Sequence, residues 1–366
     1  MGPDKEGFLF PCIDLQKCVN CGLCLKVCNA NELNKKVFNE PARKVYAAWN
    51  KDEKEVIKST SGGLFFTIAS HIIESGGVVY GVVWNNRVEA VFARIDKIDD
   101  LQKARGSKYV QSDIRGTYKK IQLDLEKGVT VLFVGTPCQV SGLKSYLRKD
   151  FEKLYLIDFV CHGTPSPKML SAYIDYIQEK EKKDVIDFKC RGKLQSGWRA
   201  YEIIGFRNSP PKISVSGLRP YLFGFNQGLF NRESCFDCAF SRKERTGDIT
   251  LSDFWGAEKF HPDLKKIRKR GLNAVMINST KGDSLFREIK NRVQFIESEL
   301  NIAIAGDRRL SQSDPRPPKR NVVYKILDER GFDYLARNYL RPKYYLIRKI
   351  IPNWLKNIYK EFSCRI

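Results

Sequence analysis

Apolar and polar positions divide this chain into short buried runs and amphipathic stretches. Val131-Leu-Phe-Val134, closed by Gly135, is a continuous apolar run. That is the pattern of a strand covered on both faces, as in a parallel sheet. A helix is expected to start near Cys138. The arrangement recurs about twenty residues on: Leu154-Tyr-Leu-Ile-Asp-Phe-Val160 predicts a strand, Cys161-His-Gly a turn, and Pro167 to Lys182 a helix. Upstream, the apolar stretch ending at Ile73 follows Ser59-Thr-Ser-Gly-Gly63 and predicts a helix. Strands are expected over 77–84 and 88–95, and an amphipathic helix over 113–127. Downstream, Val185–Cys190, Ala200–Arg207 and Ile213–Val215 predict an antiparallel insertion. An aromatic helix at about 219–230 and a closing strand–helix pair, Asn273–Asn278 and Gly282–Arg292, follow. Residues 41–55 are polar and charged and predict a linker.

Alternation of strands and helices over most of the chain predicts an α/β fold: a mixed, mainly parallel sheet flanked by helices. A small ferredoxin-like segment precedes it and a helical tail follows. The expected units are 1–40, 55–128, 129–295 and a basic tail, 312–366. At 366 residues the chain can bury a sizeable core. It shows no apolar run long enough to span a bilayer, and no signal-peptide core follows Met1, so a cytoplasmic protein is expected. In that compartment thiols stay reduced, and eleven cysteines point to metal rather than disulfides.

Two cysteines, Cys138 and Cys161, end two successive strands. In an open α/β sheet those ends share one edge, where ligands bind. At a helix N-terminus, the positive end of the helix field is expected to favour thiolate at Cys138. With Cys235-Phe-Asp-Cys238, four thiols are expected to converge on one soft metal centre. A second set precedes them. Cys18, Cys21, Cys24 and Cys28 follow the spacing of a bacterial ferredoxin run. No partner run stands before it, and Asn29 occupies the usual proline position. The segment therefore predicts a single cluster on Cys18, Cys21 and Cys24, with Cys28, Cys12 or no fourth thiol. Cys190 reads as structural. Of the three histidines, His71 falls on an apolar helix, and only His162, beside Cys161, is placed to touch a site.

Hydroxyl residues before Gly62-Gly63 and an apolar helix suit a phosphate held at a helix N-terminus. Gly106-Ser-Lys-Tyr109 offers a turn, a cation and a ring, which suits a nucleotide cofactor. The formal net charge of +22 favours acidic partners. Candidates are an acidic electron carrier, a small anionic substrate, or an anionic membrane met by the cation- and aromatic-rich stretch 341–360. The cations are spread rather than clustered on a reading helix, so nucleic acid is not expected.

The ordered set Ser61-Gly-Gly63, Gly106-Ser-Lys-Tyr109, Gly135-Thr-Pro-Cys-Gln139, Cys161-His-Gly163, Cys235-Phe-Asp-Cys238 and Asp248-Ile-Thr-Leu-Ser-Asp-Phe-Trp-Gly256 resembles the beta subunit of coenzyme F420 hydrogenase/dehydrogenase over roughly residues 55 to 295. The resemblance implies an oxidoreductase with FAD and one 4Fe–4S cluster. The cluster would be bound by Cys138, Cys161, Cys235 and Cys238. Flavin would be held by Ser61, Gly62 and Gly63 together with Gly106, Ser107, Lys108 and Tyr109. It also implies a relay in which electrons from an acidic carrier or redox partner subunit pass through the clusters to FAD. The acceptor would be deazaflavin-like or a polysaccharide-pathway substrate, and no catalytic side chain is assigned. The alternative is a non-catalytic iron–sulfur electron-transfer subunit of a larger complex.

Overall fold

The structure, a computed structural model, describes residues 1–28, 37–194, 197–215 and 219–341. A hairpin of β1 (Gly2–Pro3) and β2 (Leu9–Phe10) opens the chain, followed by the single turn α1 (Leu23–Lys26). The main unit starts with β3 (Lys44–Asn50), α2 (Glu53–Lys58), α3 (Leu64–Glu74), β4 (Val78–Trp84) and β5 (Ala90–Ile95). It continues through α4 (Ile98–Ala104), α5 (Thr117–Glu126), β6 (Val131–Gly135), α6 (Pro137–Leu147), β7 (Leu154–Phe159) and α7 (Pro167–Glu181). The antiparallel insertion is β8 (Val185–Leu194), β9 (Gly197–Phe206) and β10 (Ser209–Val215), followed by α8 (Pro220–Asn226). Then come β11 (Ile249–Asp253), α9 (Leu264–Arg268), β12 (Asn273–Ile277), α10 (Thr280–Glu288), β13 (Val293–Ser298), α11 (Leu300–Gly306) and α12 (Arg320–Asn338).

Eight strands form one sheet in the order β13-β3-β12-β11-β7-β6-β4-β5. The expectation of a mixed α/β sheet holds. Its parallel pairings join the four central strands β11, β7, β6 and β4, whereas the four outer pairings are antiparallel. Parallel pairing is therefore the rule at the centre, not over the whole sheet. The period of two splits the central strands between two cores. Val79, Leu132 and Ile157 pack with α3 and α4 residues, while Tyr80, Phe133 and Leu156 pack with Ile121, Val140 and Leu143 of α5 and α6. A third core joins α7, the insertion, α8 and α12, with Phe8 of the N-terminal segment inside it.

Two expectations are corrected. Residues 41–55 are not a linker: β3 is buried near one edge of the sheet between β13 and β12, and its alternating charged and apolar ends hid a strand. β13 was not expected at all, because Val293-Gln-Phe-Ile-Glu-Ser is half polar, as befits an edge strand. The regions 55–128 and 129–295, expected as the two parts of one domain, both contribute strands to this sheet. The tail helix α12 breaks at Gly331, whose φ is 74°, and packs Val323, Leu327 and Leu335 into the third core. Residues 342–360 of the basic stretch, and Asn29, lie outside the described residues. No helix among the described residues is long and apolar enough to cross a membrane.

Candidate cofactor and metal site

The C-terminal ends of β4, β6 and β7 open onto a cleft of about 280 Å³. That is close to the lower end, roughly 300 Å³, of ordinary small-ligand pockets. One wall is the loop Ser59–Gly63. Gly62 faces away from the cleft and abuts the sheet: a Cβ there would lie 2.6 Å from the Ala48 carbonyl oxygen. Gly63 has φ +91° and caps α3. Only a residue without Cβ takes up that conformation readily. In the first turn of α3, the Leu64 N–H donates to Asn273 Oδ1 at 3.4 Å, while no bond is seen from the Phe65 and Phe66 amides among the described residues. The Ser61 hydroxyl donates to the Leu272 carbonyl at 2.8 Å, so its oxygen keeps lone pairs but its proton is committed.

The second expected stretch, Gly106–Tyr109, forms the adjoining wall, and a Cβ on Gly106 would lie 3.8 Å from Thr60 Oγ1. The structure therefore brings the two stretches together. Lys108 does not extend into open space. It folds back and donates to the carbonyls of Arg105 (3.0 Å) and Lys103 (3.1 Å), and burial draws its pKa down to about 8. Arg105 sits between the two stretches. Its guanidinium pairs with Glu55, donates to Ser59 Oγ at 3.2 Å and lies 3.4 Å from the Phe66 ring centre. Its Nε is buried without a partner among the described residues.

At the far end three rings lie nearly parallel: Tyr109 on Phe225 at 4.2 Å, and His162 on Phe225 at 6.4 Å. His162 Nε2 is 3.4 Å from Asp307 Oδ2. Burial raises the Asp307 pKa, but His162 and Arg309 more than offset it, and the net shift is downward. Arg191, from β8, also lines the cleft. It pairs with Asp253 and lies 5.3 Å from the Trp255 ring centre. None of Arg105, Phe225, Asp307 and Arg191 was singled out from the sequence. The one available signal was Arg191-Gly-Lys193, two cations spaced to share a strand face.

Cys161 lines the same cleft, whereas Cys138, Cys235 and Cys238 do not. The three elements that carry these four thiols are tied together. Asn231 Nδ2 donates to the His162 carbonyl at 2.9 Å, and the Arg232 N–H to the Thr164 carbonyl at 3.0 Å. These bonds zip the Cys161 turn to the segment before Cys235. Gly163 (φ +90°) is required there, since a Cβ would lie 2.3 Å from Asn231 Nδ2. The Thr246 hydroxyl lies 3.1 Å from the Pro137 carbonyl, tying the segment after Cys238 to the start of α6. Burial pushes the Cys161 thiol well up, and Cys235, Cys138 and Cys238 all add to the rise. Burial pushes Cys235 up to about 12, with Cys138 and Cys238 contributing in the same direction. Desolvation shifts Cys138 upward first and Cys238 adds to it, while the Thr136 hydroxyl pulls the other way; the residue itself is exposed at the start of α6. Beneath them, buried Arg245 donates to the Phe240 and Arg242 carbonyls and to Asp158 Oδ1. That holds the loop after Cys238 onto β7.

Cys18, Cys21, Cys24, Cys28 and Cys12 are all exposed. Among the described residues no three His, Cys, Asp or Glu side chains are drawn close enough to hold a metal ion, here or at the inner thiols. The N-terminal segment is anchored on both sides of its cysteines. Gln111 exchanges hydrogen bonds with the Leu9 backbone, Arg320 pairs with Glu6, and Arg232 lies 3.7 Å from the Phe10 ring centre. Beyond the cysteines, the Asn39 N–H donates to the Arg245 carbonyl and Lys144 to the Val37 carbonyl. Cys190 is buried in the third core, as its structural reading requires. His71 is satisfied by Glu288 at 2.7 Å.

Comparison with known proteins supports the resemblance seen in the motifs. Residues 128–301 match the family described as the C terminus of the coenzyme F420 hydrogenase/dehydrogenase beta subunit. That match begins well after residue 55. A coenzyme F420-dependent sulfite reductase of Methanocaldococcus jannaschii is 28% identical over 148 residues, which is 39% of this chain. The chain spans 23% of that protein's length. In a xenon-derivatised F420-reducing NiFe hydrogenase complex from Methanosarcina barkeri, one chain matches with TM-score 0.47 and 13% identity, over 79% of this chain and 93% of that one.

Proposed function

We propose that this chain is an iron–sulfur flavoprotein oxidoreductase, a redox subunit of the F420-linked kind. The observation that carries the reading is that one cleft joins both expected nucleotide-binding stretches to Cys161, whose turn is hydrogen-bonded to the segment leading into Cys235. The donor set suits the groups. Four thiols from three tied elements match the all-cysteine ligation of a 4Fe–4S cluster. A cubane spreads its thiolates over its corners, so the set need not close on a single ion. When bound, the cluster supplies single electrons and FAD converts between one- and two-electron chemistry.

The chain's own residues hold and orient. The Phe65 and Phe66 amides at the start of α3 point the positive end of a helix at a cofactor phosphate. Gly63 and Gly106 let backbone approach it, and Arg105 supplies the nearest fixed cation. The ring ladder of Tyr109, Phe225 and His162 walls the opposite end against water and offers a face for a planar acceptor. Arg191, fixed by Asp253, favours an acceptor that carries negative charge. In the N-terminal segment, Cys18, Cys21 and Cys24 would hold a second cluster with Cys28, Cys12 or no fourth thiol. Its anchors, Phe10 against Arg232 and Asn39 on Arg245, support a position near the loop carrying Cys235 and Cys238, and an acidic electron carrier or partner subunit would dock there.

The test is anaerobic purification with iron, sulfide and flavin measured per chain, for the wild type and for Ser variants of Cys138, Cys161, Cys235 and Cys238. Iron and flavin should copurify, and each variant should lose iron. No flavin after anaerobic reconstitution with FAD would overturn the flavoprotein reading. Unchanged iron in all four variants would overturn the ligand set.

A further inference from the structure

The antiparallel insertion supplies Arg191 to the cleft, and a second cation on the same strand touches the cofactor loop. On β8, Arg191 and Lys193 flank Gly192, where the pairing with β9 is irregular. Arg191 lines the cleft, but Lys193 reaches behind it. Its Nζ donates to three main-chain carbonyls: Val56 (2.8 Å), Ser61, and Arg270 (2.8 Å). These belong to separate segments. Val56 is in α2, Ser61 directly precedes Gly62-Gly63, and Arg270 ends the turn before β12. Lysine has three N–H donors and no acceptor, so three converging carbonyls match it. The packing around the contact is tight. Gly271 has φ +121°, and a Cβ there would lie 2.6 Å from the Ser61 carbonyl oxygen and 2.3 Å from Lys193 Nζ.

We infer that Lys193 is a positioning residue for the cofactor loop. By gathering these carbonyls it sets the backbone of Ser61–Gly63, and with it the direction of the free amides that begin α3. The insertion is then part of the cofactor site rather than an appendage. The inference rests on the assignment of FAD to this cleft, although the contact itself exists without any cofactor.

The experiment uses the full chain with Lys193→Met, which keeps the aliphatic stem and removes the donors, and Lys193→Arg, which keeps the charge in a different geometry. Two readouts are compared: FAD affinity by titration into cofactor-free protein, and amide hydrogen exchange by segment. Lys193→Met should weaken FAD at least tenfold and speed exchange over residues 56–66, leaving β6 and β7 protected as in the wild type. Lys193→Arg should recover part of both. Wild-type affinity in Lys193→Met, or faster exchange spread evenly over the sheet, would overturn the positioning role. Should the wild type itself bind no FAD, the cofactor reading fails. The exchange pattern then decides the role of Lys193 alone, and unchanged exchange over 56–66 refutes it.

Discussion

Replacing Asp158 by Asn tests whether the inner thiols depend on a buried charge hub. Asp158 is fully buried at the end of β7, three residues before Cys161. Its Oδ1 accepts from the Thr250 hydroxyl (2.6 Å) and from Arg245 (3.2 Å). Its Oδ2 accepts from the Thr246 N–H (3.1 Å) and the Gly247 N–H (2.9 Å) and lies 3.0 Å from the Thr246 hydroxyl. An amide has one acceptor oxygen. Turned toward Thr246 and Gly247, it satisfies those amides and puts its NH₂ against Arg245. The Thr250 hydroxyl can rotate to accept, but the guanidinium, only 2% exposed, loses its counter-charge. Breaking a buried pair this way costs about 3–5 kcal/mol. The lower end applies, because Arg245 keeps the Phe240 and Arg242 carbonyls. At about 2.1 cal/mol/K of unfolding entropy per residue over 366 residues, that lowers the Tm by about 4 °C in a thermal melt. The double variant with Arg245→Met should recover part of the loss, since it removes the orphaned charge. Iron retention should fall with Asp158→Asn, because the hub holds the segment after Cys238 onto the strand that ends at Cys161. A loss under about 1 kcal/mol, or no recovery in the double variant, would refute the hub as the origin of the stability.

Three further outcomes are expected. Gly62→Ala places a Cβ 2.6 Å from the Ala48 carbonyl and 2.9 Å from Asn273 Oδ1, and should destabilise by about 1–3 kcal/mol in a denaturant titration; a neutral result would mean the loop has room to shift. Gly63→Asp should abolish flavin retention, both because a carboxylate would repel the cofactor phosphate and because a side chain strains the backbone at φ +91°; normal flavin content would refute the placement. Asp307 has a net depressed pKa, so its contribution is present above the usual carboxylate range and lost as pH falls through its folded value. The stability gap between wild type and Asp307→Asn should therefore be full near neutrality and narrow toward about pH 3, and a gap constant across that range would count against the His162 and Arg309 contacts.

Much of the architecture was legible because the central strands are buried on both faces. Strand β6 reads as an uninterrupted apolar run and β7 as one broken only by Asp158, and each ends at a turn with a distinctive residue set. The candidate thiols and both glycine-containing stretches were legible for the same reason: residue type and spacing are local. What was not legible came from contacts between distant segments. β3 and β13 mix charged and apolar positions, since a strand near a sheet edge need bury only part of its surface, and their register against each other is a tertiary fact. Arg105, Arg191, Lys193 and Asp307 are ordinary charged residues in the sequence. They matter because folding brings Arg105, Arg191 and Asp307 to one cleft and sets Lys193 behind its wall. The sequence determined which chemical groups this protein has to offer. Only the tertiary structure decided which of them share a cavity, because the energies that hold them there come from partners dozens to hundreds of residues away.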